Sequence, residues 1–219
     1  MNVLGTYKEL VLVAALFAWF IARRRASQKW FPWVGALLIL EFTVEIVAKL
    51  LSSRGINNHL AYNVFFAVEF VVIARLLYIN WPEARHLRRV VQVAVAIFLP
   101  TLVWDLGSHD SAHYLATNAL IIGGLLLGAI SAKALFVLAR ESIVPLHREP
   151  LFWVLLSIMV YYLTFIPIFG LYNYLIAQNS PITFQLNYIN NVLFVIRYGS
   201  VLTGLVMLYR QATPSHDGQ

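Results

Sequence analysis

Seven apolar segments, joined by loops too short to fold on their own, limit what this chain can become. They run at about 3–22, 30–51, 60–79, 90–106, 114–139, 151–176 and 184–209. Each reaches or approaches the roughly 20 apolar residues that an α-helix needs to cross a hydrocarbon core. Strands of a membrane barrel would alternate in polarity over about ten residues, and these runs do not. Hydrocarbon leaves no partner for an unsatisfied backbone group except within a helix or a closed barrel, so the segments read as helices. Composition agrees. Of 219 residues 60% are apolar and 12% are charged, where a soluble domain carries about 25% charged residues. The expected fold is all-α: a polytopic bundle of seven transmembrane helices over 1–210, then a short polar tail at 211–219.

Basic residues alternate from loop to loop. Arg23, Arg24, Arg25 and Lys29 fall in the first loop, Arg85, Arg88 and Arg89 in the third, Arg140 and Arg148 in the fifth, and Arg210 in the tail. The other side carries Lys8, Lys49 and Arg54, then Asp105 and Asp110, then a loop without charge. The positive-inside rule therefore predicts the N-terminus outside and the C-terminus in the cytoplasm of a bacterial inner membrane. Trp19, Trp30, Trp33, Trp81 and Trp153 are expected at the inner interface and Trp104 at the outer one, as an aromatic belt. The net charge of +6 is thus topological. It argues for the lipid bilayer, including anionic headgroups, as partner and against nucleic acid.

The first basic cluster follows its apolar run, whereas a cleaved signal peptide needs the charges in front. Lys8 and Glu9 leave only 10–22 uninterrupted there, and both are expected to snorkel to the outer surface. The chain has no cysteine, which excludes disulfides and thiolate metal sites. No loop has room for a soluble output domain, so function is expected inside the bundle or through a separate cytoplasmic or membrane partner protein.

Charges near the bilayer centre cost roughly 2.5–3.5 kcal/mol each on insertion scales, so those present face the interior and read as functional. The second segment carries Glu41, Glu45 and Lys49 one turn apart on one stripe. The third carries Tyr62 and, seven residues on, Glu69; the seventh carries Asn190 and Arg197 at the same spacing, with Asn187 and Asn191 beside them. Tyr161, Tyr162 and Thr164 of the sixth and Asn118 of the fifth complete the set. Most lie from the midplane outward, which predicts a polar cavity opening to the outside. Arg197 needs a carboxylate at its depth, from Glu69 or Glu41. A structural reading pairs Glu69 with Arg197 and Glu45 with Lys49, the amides serving as interhelical glue. Three carboxylates against one deep arginine exceed that reading, and the surplus calls for a proton, a cation or a ligand amine.

Pro167 and Gly170 predict a kink in the sixth helix. Gly124, Gly128 and Ala132 form a small-residue face suited to an internal helix contact. Asp105, His109 and His113 have a metal-like spacing, but Gly107 and Ser108 argue against the helix that would align them, and neither metal nor cofactor is expected. The string Asn63-Val-Phe-Phe-Ala-Val-Glu69-Phe70 lines up with Asn191-Val-Leu-Phe-Val-Ile-Arg197-Tyr198, and Trp33-Val34 with Trp153-Val154. These pairs suggest a parallel 3+1+3 repeat, an arrangement known among transporters.

A retinal protein needs a lysine midway along the seventh helix, where this chain has Arg197. Seven-helix zinc hydrolases of the ceramidase and adiponectin-receptor type need histidines within the helices, and none lies within a helix core here. The segment 56–70, together with Asn190-Asn-Val-Leu-Phe194, resembles uncharacterised seven-helix membrane proteins common in Bacteroidota. That resemblance implies the topology and carries no activity.

The functional expectation is a sensor-like module that binds a small molecule or ion through Glu41, Glu45, Glu69, Tyr62, Asn118, Tyr161, Asn187, Asn190, Asn191 and Arg197. The alternative is a secondary transporter or proton-coupled carrier using the same carboxylates. No nucleophile–base pair argues for an enzyme.

Overall fold

The apolar segments become seven long helices: α1 (Val3–Ala22), α2 (Phe31–Ser53), α3 (His59–Asn80), α4 (Arg85–Ser108), α5 (Thr117–Glu141), α6 (Pro150–Ala177) and α7 (Ile182–Gln211). A short 3-10 turn, Leu146–Arg148, precedes α6. The computed structural model describes residues 3–81, 83–108, 114–178 and 182–212, with backbone alone at 3, 4, 169, 172, 173, 176, 177, 183, 184 and 187. Among the described residues there is no strand. Six helices, α1 and α3 to α7, are long and apolar enough to cross a membrane. The chain has the make-up of a multi-pass membrane protein.

The outer surface supports this. Phe17 on α1, Val103 on α4 and Phe136 on α5 are 65%, 70% and 63% exposed. Large apolar side chains also stand exposed on each of the other helices, such as Ile46, Val64, Leu171 and Ile196. Water would tolerate no such continuous apolar surface, whereas lipid tails cover it.

Local chemistry sets several helix ends. Pro32 in the first turn of α2 and Pro150 at the start of α6 occupy positions where a missing N–H breaks no helical bond. Gly55 ends α2 with φ +69°, the left-handed turn that glycine adopts without a Cβ clash. Its N–H donates to Ser52 O at 3.0 Å, and that of Ile56 to Leu51 O at 3.0 Å, closing the last carbonyls of the helix.

Each helix packs against its chain neighbours, and α1 closes the ring against α7, while α3 also reaches α5. Helix α1 runs parallel to α7: Lys8 lies 4.6 Å from the centre of the Phe194 ring and Arg25 4.7 Å from that of Tyr209. Small residues allow the close approaches. The backbone of Gly35 lies under the Trp19 ring, Gly128 faces Leu163, and a Cβ on Gly204 would stand 2.7 Å from Pro150 O. Gly124 faces Tyr162 and Ile166, so the small-residue face of α5 packs inside the bundle against α6.

Several expectations need correction. Lys8 does not snorkel outward; it is buried and its amine meets Glu45 Oε1 at 2.6 Å. Lys49 therefore pairs with Glu9, not with Glu45. The neighbouring α2 carboxylate pulls the α1 amine inward, a contact that a single helix cannot reveal. Asp105 belongs to no loop. Helix α4 runs through Gly107 and Ser108, and buried Asp105 accepts bonds from Asn118 Nδ2 at 2.9 Å and Ala119 N at 3.0 Å, closing the start of α5. His109 and His113 lie outside the described residues, among which no metal-binding cluster forms. Trp30 and Trp81 are buried, so they serve packing and not a lipid-facing belt. Trp81 Nε1 donates to Glu141 Oε2 at 3.1 Å. Trp104, at 74% exposed, does face outward.

Candidate functional site

Helical spacing brings the polar residues to one place. Glu41 and Glu45 are one turn apart on α2, and Tyr62, Phe66 and Glu69 succeed one another at four and three residues on α3. Asn190, Phe194 and Arg197 do the same on α7. Such spacings keep side chains on one helix face. All these faces turn inward and meet Lys8 of α1 and the rings of Tyr161, Tyr162 and Phe165 of α6.

They surround a cavity of about 310 Å³ in the half of the bundle where α1, α3, α5 and α7 begin. Its lining includes Lys8, Glu41, Glu45, Tyr62, Glu69, Tyr161, Tyr162 and Asn190, with Asn58 and His59 at the level of the α2–α3 loop. The volume lies at the lower end of the range for small-molecule sites, ~300–1,000 Å³.

The floor is an ion pair. Arg197 Nη2 donates to Glu69 Oε1, and both side chains are almost sealed, at 4% and 3% exposure. The guanidinium also faces Tyr161, Tyr162 and Tyr198, with ring centres 4.5, 5.5 and 5.5 Å from Cζ. These quadrupoles supplement the charge of Glu69 in a nearly sealed setting. A second pair, Lys8 with Glu45, forms one wall, and the Lys8 amine also lies over the Phe194 ring.

Glu41 differs from both. It is 2% exposed, lines the cavity, and makes no hydrogen bond or ion pair among the described residues. It faces the Tyr198 hydroxyl without reaching bonding geometry, since that hydroxyl has no partner among the described residues. Asn190 Oδ1 and the Tyr162 hydroxyl are likewise buried without a described partner. Polar groups left in this state normally meet water or a ligand.

Beyond the Glu69–Arg197 pair the interior is apolar. Leu38, Ile73, Leu77, Leu127, Leu155 and Leu205 fill it, and the buried polar residues among the described ones there are Ser131 and Ser157. Ser157 Oγ donates to Val154 O at 2.7 Å within its own helix.

Of the residues singled out from sequence, Glu41, Glu45, Tyr62, Glu69, Tyr161 and Asn190 line this one cavity. Arg197 stands beneath it. Asn118 does not reach it, because its amide is held by Asp105. Half-buried Asn191 is not in the lining, and the Asn187 side chain lies outside the described residues. Sequence reasoning missed Lys8, Phe65, Phe66, Phe165 and Phe194. The position of Lys8 as the sixth residue of an apolar run was the available signal, but snorkelling explained it equally well. Buried Asn63 was read only as part of a repeat. It bridges α3 to the chain before α5, donating to Tyr114 O at 3.1 Å and accepting from Ala116 N at 2.9 Å.

Compared with known proteins, the chain matches no family model, no curated protein and no solved structure. The class is that of a multi-pass helical membrane protein, and any function must be argued from the cavity itself.

Proposed function

We propose that this protein is a sensor-like membrane module that binds a small molecule or ion in the cavity above the Glu69–Arg197 pair. It would signal through a separate partner protein. The observation that carries this reading is the one-sidedness of the polar interior. A cavity of about 310 Å³ with an unpaired, buried Glu41 ends on an ion pair, and an apolar plug of leucine and isoleucine fills the space beyond. A carrier would need polar side chains along a path through the other half, and the interior there is lined by leucine and isoleucine.

The loop charges support the N-terminus outside, the C-terminus in the cytoplasm and α2 as the seventh crossing, in a bacterial inner membrane. In that orientation the cavity faces the exterior and the basic loops face the cytoplasmic partner.

Transport is the second reading, favoured by the shared strings. They align Glu69 with Arg197, which pair with each other, and Phe66 with Phe194, which line the same cavity. Such a correspondence is what a parallel repeat around a central site would give.

One experiment separates the readings. The full chain is reconstituted into sealed vesicles, challenged with a panel of small charged and neutral solutes, and followed by melting temperature and by a dye for proton flux. A solute that raises the melting temperature without flux supports sensing. Solute-driven flux that disappears in Glu41→Gln makes the protein a carrier. Neither response to any solute, from protein that melts cooperatively, would sink both.

A further inference from the structure

We infer that the cavity takes a small organic ammonium ion, with Glu41 as its counter-charge and aromatic rings as its walls; this rests on the ligand-binding reading above. Three carboxylates, Glu41, Glu45 and Glu69, meet two cations, Lys8 and Arg197. Lys8 is engaged by Glu45 and Arg197 by Glu69, so one carboxylate remains, and it belongs to the buried Glu41. Arg197 acts on Glu41 only from beyond ion-pair distance, and a buried carboxyl so placed either takes up a proton or meets a closer cation. The ring-lined cavity beside it favours the cation.

The walls select the kind of cation. A metal ion would need several oxygen or nitrogen ligands converging on one point, and no group of three or more His, Cys, Asp or Glu side chains suited to one exists among the described residues. The cavity instead exposes rings, including Phe65 and Phe66. Aromatic faces attract alkylammonium groups through the ring quadrupole, most strongly where water is excluded. The protein already uses this interaction within the same site, setting Lys8 over Phe194 and Arg197 among three tyrosines. Asn190 Oδ1, buried and without a described partner, offers an acceptor for a hydroxyl or N–H elsewhere on the ligand. A cavity of 310 Å³ holds roughly ten non-hydrogen atoms if each takes about the ~30 Å³ of a liquid water. That size admits a small amine and excludes a peptide.

Choline is the probe, because its carbon isostere dimethylbutanol has the same shape without the charge and dimethylbutyrate reverses it. Full-length protein in phosphatidylglycerol nanodiscs is dialysed against labelled choline, with the two analogues as competitors. Choline should bind saturably and at least about tenfold tighter than either analogue. Glu41→Gln should weaken choline about tenfold or more and leave the melting temperature unchanged or raised. Phe65→Leu, which keeps an apolar wall and removes the ring, should weaken it about fivefold, as expected for one cation–π contact. Equal binding of either analogue, or choline affinity unchanged in Glu41→Gln, overturns the inference.

Saturable binding of an analogue that ignores Glu41→Gln leaves the cavity a ligand site and removes the ammonium. Failure of all three probes also removes the ammonium, while the solute panel still decides whether the cavity binds anything. Nanodiscs of phosphatidylcholine distinguish the sources of such a group. Suppressed binding of free choline there assigns the site to a lipid headgroup, and unchanged binding assigns it to a soluble amine.

Discussion

Replacing Arg197 with leucine tests the ion pair that forms the cavity floor. Both partners are nearly sealed, and three tyrosine rings surround the guanidinium within 5.5 Å of Cζ. Leucine removes the cation and strands Glu69 in an apolar setting. Removing one partner of a buried pair costs about 3–5 kcal/mol. Leucine recovers part of this by its own burial, and the stranded carboxyl can take up a proton, so the lower figure of about 3 kcal/mol applies. At about 2–4 °C per kcal/mol for a chain of this size, the melting temperature should fall by roughly 6–12 °C. The reverse change, Glu69→Leu, should cost no more, because the carboxylate of Glu41 also acts on the Arg197 guanidinium and can replace Glu69 as its counter-charge. Combining the two should restore most of the loss, since neither member of the pair is then left without the other. Tryptophan fluorescence during heating of detergent-solubilised protein reads all four forms. An Arg197→Leu protein melting within about 2 °C of wild type, or a double variant showing the plain sum of the single losses, would refute the reasoning.

Two further outcomes are open to test. Gly204→Ala puts a Cβ 2.7 Å from Pro150 O and 3.4 Å from Trp153 Cβ. The clash is with backbone and cannot be relieved by a rotamer change, so a loss of about 1–3 kcal/mol is expected in the same melting assay; an unchanged melting temperature would contradict that packing. A reporter active only in the periplasm, fused after Gln219, should give no signal if the loop charges set the topology. A strong signal there would reverse the orientation and turn the cavity towards the cytoplasm.

The legible part of this protein was the part governed by one-dimensional chemistry. Segment positions followed from apolar run length, because a bilayer penalises every unsatisfied backbone group whatever the neighbours are. Helix ends agreed to within a few residues, except that α4 begins at Arg85 and ends at Ser108, beyond the apolar run at either end. The flanking residues are helix-compatible, and Asp105 gains a role by staying in the last turn, where it closes the start of α5. The inward positions of Glu41 and Glu69 were legible too, since neither could stand in lipid.

Pairing was legible for Arg197, whose depth called for Glu69 or Glu41, and not for the other charges. Lys8 lies four residues from Leu12 on a helix that reads as a marginal span, and nothing local distinguishes an amine that snorkels from one that crosses to Glu45. The choice depends on where α2 lies against α1, and that is set by contacts such as Gly35 under Trp19. The same dependence moved Lys49 onto Glu9 and took Asn118 out of the cavity and onto Asp105.

By itself the sequence determined the solvent of this protein, its seven helices and the inward facing of Glu41, Glu69 and Arg197, because hydrophobicity and helical period act along the chain. Only the tertiary structure decided which charges neutralise each other, and so which one is left over. Glu41 is that residue, since Lys8 and Arg197 are each claimed by a nearer carboxylate once the ring of helices closes. Ion pairing falls off with distance in space and is indifferent to distance along the chain.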